Sequence, residues 1–269
     1  MPKALLTGAA GGIGQATAHL LWEKGFSLLL TDVQEEALIR AFPELPAGSQ
    51  RILLDVTNPS SWKEIAANHS EVDVLIQLAG VMRVGTFIEQ PLEEWLLQVD
   101  INLHGVAYGS WTFGRLFAER GKGHIINIAS MAGVAPIPGI AGYTATKFGV
   151  RGLSLALDAE LRPRGVPVTV IGPGPVETPL ILRELPKPES VYTLVAGGLL
   201  KPQAVAQAVW RAIRHRPKEI LLPSSKAVAA RLVSIFPSLQ DVAARTFLKG
   251  AVRRRNAYLR EGTPSESPS

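Results

Sequence analysis

The sequence predicts an α/β protein with a doubly wound, seven-stranded parallel sheet and a C-terminal helical extension. Short apolar runs of strand length alternate with longer segments of helical periodicity, which is the pattern of repeated βαβ units. Several of the short runs are apolar on both faces, as strands covered by helices on each side must be. A glycine-rich turn follows the first run, at the point where a sheet of this kind binds ligands.

The individual elements follow from the positions of these runs. Strands are predicted at residues 3–7, 27–32, 50–55, 72–78, 124–129, 167–171 and 219–222. Helices are predicted near residues 13–24, 34–41, 61–68, 92–118, 143–161 and 203–215. Strands and helices that alternate in this way form crossover connections, and together they predict the doubly wound sheet.

The domain organisation is expected to be simple, because no proline- or serine-rich linker divides residues 1–223. We predict a single α/β domain over that range, which is within the size of such domains. The segment 179–200 breaks the alternation with three prolines beside apolar residues, and it is predicted to be a long mobile loop that acts as a substrate lid. Residues 224–269 are predicted to form a basic helical extension, with amphipathic stretches around 228–236 and 239–252, that ends in a disordered polar tail at 263–269.

The composition excludes several classes of protein. With 46% hydrophobic residues among 269, the chain can build a large core and is not intrinsically disordered as a whole. The absence of cysteine excludes a disulfide scaffold and a thiol nucleophile, and the five histidines show no metal-ligand spacing, so no metal is expected. No apolar run reaches the ~18 residues of a membrane span, and no signal peptide is apparent, so a cytoplasmic protein is expected.

The charge is distributed unevenly along the chain. Residues 1–200 carry 15 Lys and Arg against 19 Asp and Glu, whereas residues 201–260 carry 13 against 2. A basic segment of this kind is usually a solvated or packed helix face, and contact with an anionic membrane surface is the less favoured alternative. Without interleaved aromatic residues it is weak evidence for nucleic acid, and no nucleic-acid partner is expected.

The glycine-rich turn after the first predicted strand reads Thr-Gly-Ala-Ala-Gly-Gly-Ile-Gly. Gly8, Gly12 and Gly14 are spaced so that the backbone can approach a pyrophosphate group at a helix N-terminus, although a tight structural turn is the simpler alternative. Asp32 ends the second predicted strand, near the offset at which a carboxylate accepts hydrogen bonds from the adenosine ribose. Asp55 ends the third strand and is expected near the adenine, although an isolated Asp there is more often a cap. This part of the sequence therefore predicts a dinucleotide site.

A tyrosine and a lysine predict the chemistry of the site. Tyr143 and Lys147 are four residues apart, and on a helix they lie on one face. The lysine cation is expected to lower the pKa of the phenol towards the operating pH, which would make Tyr143 a general acid or base. Ser130 follows the fifth predicted strand and is expected at the same edge of the sheet.

Together these motifs make residues 3–223 resemble the short-chain dehydrogenase/reductase family, the single-domain enzymes that bind NAD(P) on a Rossmann fold. The resemblance is carried by Thr7 to Gly14, Gln77-Leu78-Ala79-Gly80, Asn102, Ser130, Tyr143, Lys147, Pro173-Gly174 and Thr178. It implies that the cofactor is held by Gly8, Gly12, Ile13, Gly14, Asp32, Asp55, Val56, Ala79, Gly80, Tyr143, Lys147, Pro173, Gly174, Val176 and Thr178.

The resemblance also implies a role for each of four catalytic residues. Tyr143 exchanges a proton with the substrate oxygen, and Ser130 donates a hydrogen bond to that oxygen. Lys147 binds the nicotinamide ribose and tunes Tyr143, while Asn102 supports a proton-relay water. The reaction implied is a hydride transfer coupled to this proton transfer.

One segment departs from the family pattern. The family has two asparagines before the Ala-Gly of its fourth strand, and this sequence has Gln77 and Leu78 there. In the family those asparagines brace the central strand. We therefore expect the change to disturb local hydrogen bonding rather than catalysis.

The function predicted is hydride transfer between NAD(H) and a small apolar secondary alcohol or ketone. The loop 131–138 and the apolar residues after Pro179 favour an apolar substrate. Alternatives are a 3-oxoacyl reductase linked to an acyl carrier or CoA, a nucleotide-sensing protein without turnover, and a peripheral membrane protein on the same fold. NAD is expected over NADP, because Asp32 would repel the 2′-phosphate and no Lys or Arg lies beside it in the sequence. The resemblance implies a homodimer or homotetramer packed through the helices near 103–118 and 148–161, with apolar surface supplied by Leu103, Val106, Phe113, Leu153, Leu155 and Leu157.

Overall fold

The computed structural model describes residues 1–195, 197–236 and 238–261, with the backbone alone at 239–247 and at 261. The polar tail predicted at 263–269 lies outside the described residues. Within the described residues the chain forms one seven-stranded sheet covered by helices. The predicted fold class is therefore confirmed.

All seven strands of the sheet are parallel to their neighbours. They are β1 (Lys3–Thr7), β2 (Ser27–Asp32), β3 (Gln50–Leu53), β4 (Val74–Gln77), β5 (His124–Ile128), β6 (Val168–Pro173) and β7 (Glu219–Leu222). Their order across the sheet is β3-β2-β1-β4-β5-β6-β7, so the direction of winding reverses between β1 and β4. The crevice at such a reversal, beyond the carboxyl ends of the strands, is where sheets of this type bind ligands.

Ten α-helices are described. They are α1 (Gly12–Glu23), α2 (Glu35–Ala41), α3 (Pro59–Asn68), α4 (Leu92–Val99), α5 (Gly105–Arg120), α6 (Ala141–Leu161), α7 (Pro179–Leu182), α8 (Pro202–His215), α9 (Ser224–Ile235) and α10 (Leu239–Glu261). The helix predicted over 92–118 exists, but one wide π-helical turn, Asp100–His104, joins α4 to α5 within it. Such turns are frequent at functional sites, and this one contains Asn102.

The core lies in two layers, one on each face of the sheet. Successive side chains of a strand point to opposite faces, so Leu5 and Leu6 enter different layers. Leu6 packs in the layer covered by α1 and α8, and Leu5 packs with Trp62 of α3 and Phe113 of α5. Burial of each such side chain contributes about 1.5–3 kcal/mol, which explains why the strands are apolar on both faces.

This packing corrects part of the expected subunit interface. Val106 and Phe113 are only 3% and 0% exposed, because they face the core of their own chain. Trp111 lies on the same helix, α5, and remains 55% exposed. Val106 and Phe113 are therefore not available to a partner subunit, and the apolar surface on the outer face of α5 is smaller than the sequence predicted.

The segment 179–200 is not the irregular loop that its prolines suggested. It begins with α7 and continues into a 3₁₀ helix, Pro188–Leu194. Leu185 and Leu194 of this segment form a buried apolar cluster with Ala251 of α10. The C-terminal extension therefore packs against the predicted lid of its own chain.

Polar contacts hold the same two elements together. The Tyr258 hydroxyl accepts a hydrogen bond from the Leu199 N–H at 3.0 Å. Arg254 donates to the Leu194 carbonyl at 2.8 Å, and Arg255 donates to two further carbonyl oxygens of the segment. Two of the basic residues that suggested an anionic surface thus bind lid carbonyls instead. No helix in the described part of the chain is both long and apolar enough to cross a membrane.

Candidate active site

The glycine-rich turn lies between β1 and α1 and passes very close to its neighbours. Gly8 has a φ of +62°, and a Cβ there would lie 2.8 Å from the Ala79 backbone. A Cβ on Gly14 would overlap the carbonyl oxygen of Gly8, and one on Gly12 would lie 3.1 Å from the Thr178 side chain. Any larger residue at these three positions would collide with its neighbours or crowd them. Glycine is therefore required in the turn for steric reasons.

The start of α1 fits an anionic group of a dinucleotide. Gly11 is the N-cap residue and provides no side-chain acceptor, so no side chain caps the first N–H groups of α1. Exposed N–H groups at a helix N-terminus, together with the helix dipole, favour a phosphate. The glycine cradle and this helix start are therefore suited to a pyrophosphate.

The two candidate ribose and adenine residues differ in their surroundings. Asp32 ends β2, and its carboxylate accepts hydrogen bonds from the backbone N–H groups of Ala10 at 3.2 Å and Gln34 at 3.3 Å. Asp55 is exposed two residues beyond β3, and one of its oxygens accepts from the N–H and hydroxyl of Thr57. Asp32 thus borders the glycine turn directly, whereas Asp55 forms the local cap that was the simpler interpretation. Val56 is buried beside it.

The segment after β4 is held by two polar side chains. The buried Thr7 hydroxyl accepts hydrogen bonds from the Leu78 and Ala79 N–H groups, each at 3.1 Å. The amide of Asn102 exchanges two hydrogen bonds of 2.8 Å with the backbone of Val81. A Cβ on Gly80 would lie 3.1 Å from the Asn102 oxygen and 3.6 Å from the Lys147 Nζ. Asn102 therefore lies directly behind the floor of the site.

Gln77 corrects the expectation of disturbed hydrogen bonding at β4. The two N–H groups of its buried amide are shared among three acceptors, the Val106 carbonyl at 3.1 Å, the Ser110 hydroxyl at 3.0 Å and the Asn127 oxygen at 2.9 Å. Gly109 leaves room for the longer side chain, since a Cβ there would overlap the Gln77 oxygen. The departure from the family pattern is accommodated by a complete bracing network.

Ser130, Tyr143 and Lys147 meet at the carboxyl ends of β5 and β6. The Ser130 hydroxyl accepts from the Ala132 N–H at 3.1 Å, and the same hydroxyl forms a hydrogen bond with Tyr143. The Lys147 Nζ donates to the Ile128 carbonyl at 2.9 Å and lies 5.5 Å from the centre of the Tyr143 ring. The three side chains form one compact group.

Burial sets the protonation of this group. Burial raises the pKa of Tyr143 to about 12, and the hydrogen bond from Ser130 acts in the opposite direction. Burial also lowers the pKa of Lys147 to about 8. The expected lowering of the Tyr143 pKa is therefore wrong for this structure, because the cost of placing a phenolate in apolar surroundings outweighs the opposing hydrogen bond from Ser130.

The group opens into a small cavity of about 110 Å³. Nine of the predicted site residues line it: Ile13, Gly80, Ser130, Tyr143, Lys147, Pro173, Gly174, Val176 and Thr178. The rest of its wall is largely apolar and includes Leu78, Met82 and Ile181. Gly8, Gly12, Gly14, Asp32, Asp55, Val56 and Ala79 lie along the same edge of the sheet outside this cavity. No cluster of metal-binding side chains is present in the described ranges.

A second cavity adjoins the first and was missed by the sequence reasoning. It has a volume of about 660 Å³ and shares Met131, Ile137 and Thr193 with the smaller one. Lys226 of α9 and Arg254 of α10 also line it. The amphipathic pattern near residue 228 was the available signal, but it did not indicate which surface the helix covers.

The fold and the site define an oxidoreductase of the short-chain dehydrogenase family, and the chain belongs to that family. The family model for short chain dehydrogenases matches residues 2–188. The 3-alpha-(or 20-beta)-hydroxysteroid dehydrogenase of Mycobacterium tuberculosis strain H37Rv is 33% identical over 210 residues, covering 77% of this chain and 80% of that protein.

Two solved structures are similar to this chain. A short-chain dehydrogenase/reductase from Burkholderia phymatum in complex with NAD has a TM-score of 0.78 and 29% identity, covering 89% of this chain and 95% of that one. A variant of actinorhodin polyketide ketoreductase with NADPH has a TM-score of 0.75 and 29% identity, covering 82% of this chain and 95% of that one. Structures of this fold thus hold either cofactor.

Proposed function

We propose that this protein transfers a hydride between NAD(H) and an apolar secondary alcohol or ketone. The observation that carries the proposal is the convergence of Ser130, Tyr143 and Lys147 on one largely apolar cavity. The nicotinamide cofactor supplies or accepts the hydride when it is bound. The residues that would hold it are those of the glycine turn together with Gly80, Pro173, Gly174, Val176 and Thr178, which is supported by the cavity they line and the room at the turn.

Tyr143 is the proposed general acid and base. In ketone reduction its hydroxyl gives a proton to the carbonyl oxygen, which Ser130 orients through a hydrogen bond. The raised pKa keeps Tyr143 protonated at neutral pH, which suits this direction of the reaction. Lys147 lies close enough to stabilise the phenolate that remains, and Asn102 maintains the floor of the site through Val81.

NAD(H) is the proposed cofactor rather than NADP(H). The Asp32 carboxylate borders the glycine turn, where a 2′-phosphate would bring a second negative charge close to it. Arg40, the next basic residue along the chain, forms an ion pair with Glu36 on its own helix at 3.4 Å. Two such charges ~4 Å apart at an effective dielectric near ~20 repel by about 4 kcal/mol before screening.

The cofactor proposal is tested by measuring kcat/KM with NADH and NADPH. The wild-type protein is expected to prefer NADH by about a hundredfold, the ratio that remains when screening removes part of the repulsion. Asp32→Ala should narrow this ratio, because the variant loses the ribose contact and the repulsion together. A wild-type preference for NADPH would overturn the assignment.

An apolar substrate is supported by the largely apolar side chains around Tyr143 and by the adjacent larger cavity. The mycobacterial relative carries the name of a steroid-acting enzyme, which is consistent with a bulky apolar substrate. A panel of secondary alcohols and ketones, followed by nicotinamide absorbance, tests the activity. No turnover with any member while NAD binds would favour the nucleotide-sensing alternative.

We also propose that the protein forms a homo-oligomer through the outer faces of α5 and α6. Trp111, which is 55% exposed on α5, offers an apolar contact there. Arg115 lies over its ring at 4.9 Å from the centre. Sedimentation of the wild type and of Trp111→Glu tests this, since the variant should dissociate if α5 forms the contact.

A further inference from the structure

The larger cavity lies beside the group formed by Ser130, Tyr143 and Lys147, and it is lined mainly by parts of the chain outside the glycine turn and the Tyr143–Lys147 pair. The loop at 135–138 forms one wall and the second half of the lid forms another. The third wall comes from α9, and Arg254 of α10 completes it. Five residues line both cavities, namely Met131, Ile137, Gly174, Pro175 and Thr193, so the larger space directly adjoins the one beside Tyr143.

The walls of this cavity are mostly apolar but contain two cationic side chains. Arg254 is engaged, since it donates to the Leu194 carbonyl of the lid at 2.8 Å. Lys226 is half-buried, and its ammonium group packs against the backbone at Gly197. Among the described residues no carboxylate forms an ion pair with Lys226, and no acidic residue lines the cavity. A partly desolvated cation facing an apolar space is costly unless an anion joins it.

We infer that the larger cavity binds the remote end of the substrate, and that this end carries a carboxylate held by Lys226. The inference rests on the proposed function, and it identifies the substrate as an extended apolar keto acid or hydroxy acid. A volume of about 660 Å³ is within the range of pockets that enclose a whole small-molecule ligand. A carboxylate suits the site better than a phosphate, because a dianion would need more donors than one unengaged ammonium provides.

The test uses a ladder of keto acids that differ by one methylene in the distance between the ketone and the carboxylate. Each acid is paired with its neutral methyl ester, and kcat/KM for reduction is measured with NADH. We expect one length of acid to exceed its ester by about tenfold to a hundredfold, the range of a charge-assisted hydrogen bond. The advantage should lie in KM, because the contact is the same in the ground state and the transition state.

Lys226→Met is the decisive variant. It should remove the advantage of the acid and leave the ester unchanged, whereas Lys226→Arg should retain part of it. Lys218→Met is the matched control, because it removes one exposed cation near the opposite end of β7. Calorimetric binding of the saturated alkanoic acid of the best length provides a readout without turnover, and Lys226→Met should weaken it by the same factor.

The outcomes separate this inference from the proposed function. Equal kcat/KM for acid and ester along the whole ladder, or an equal loss for both in Lys226→Met, would overturn the inference while the reductase activity stands. Failure to reduce any ketone in the ladder or the panel would overturn the proposed function instead. In that case the calorimetry still decides whether Lys226 binds a carboxylate.

Discussion

Replacement of Tyr143 by Phe removes a single hydroxyl group, and the structure allows the consequence to be isolated. Ser130 retains its hydrogen bond from the Ala132 N–H, and Lys147 retains its bond to the Ile128 carbonyl. The local fold and the position of Lys147 should therefore survive. What is lost is the proton donor, and a positioned general acid contributes about 10²–10⁴-fold to the rate, or about 3–5 kcal/mol.

We expect Tyr143→Phe to lower kcat for ketone reduction by at least ~10²-fold while the Kd for NADH changes little. The measurements are steady-state kinetics with the best substrate of the panel and a fluorescence titration of NADH. Tyr108→Phe on α5, which lies away from the cavity, is the matched control and should retain full activity. Near wild-type turnover in Tyr143→Phe would refute the assignment of Tyr143 as the acid.

Three further predictions concern pKa, stability and the lid. In cofactor-free protein the phenol of Tyr143 should ionise near its pKa of about 12. The measurement is a spectrophotometric titration of the wild type from which the titration of Tyr143→Phe is subtracted. Ionisation below pH 10.0 would show that burial does not dominate the pKa. Gln77→Leu removes two buried N–H donors that three acceptors share, and it should lower the free energy of unfolding by about 3 kcal/mol. Denaturant unfolding checks this against the exposed control Gln50→Leu, and equal losses in both variants would argue against the network. In Tyr258→Phe the Leu199 N–H loses its acceptor, so the predicted lid is held less firmly against α10. The substrate KM should therefore rise several-fold while kcat changes little. Unchanged kinetics would show that the predicted lid does not need this contact.

Local patterns were sufficient to predict the framework of this protein. The strands are buried on both faces, so each appears in the sequence as a short apolar run, and the runs of β1, β2 and β7 were predicted with the bounds observed. The glycine turn could be recognised because its steric requirement falls on residues a few positions apart. The parallel order then places the ends of β1, β4, β5 and β6 side by side, which brings Ser130 and Tyr143 to one edge.

Properties that depend on burial were predicted less well. The Tyr143 pKa was expected to fall because Lys147 is near, but the pKa depends on how much solvent both groups lose, which the spacing of two residues does not contain. Val106 and Phe113 were assigned to a subunit interface, because an apolar helix position can face either a partner or the core of its own chain. Gln77 was expected to disturb β4, since the space provided by Gly109 is not visible from Gln77 alone.

By itself, then, the sequence determined the strand and helix pattern and the glycine turn, because each of these depends on neighbours close in the chain. The alternation of strands and helices also predicted the edge of the sheet at which a ligand is expected. Only the tertiary structure decided that α10 packs against the segment 179–200, the predicted lid, and that Lys226 lines a large cavity near Tyr143. The lid and α10 are about sixty residues apart, as the contact between Leu199 and Tyr258 demonstrates. Their packing depends on complementary surfaces and on backbone hydrogen bonds, and neither leaves a periodic signal in the sequence.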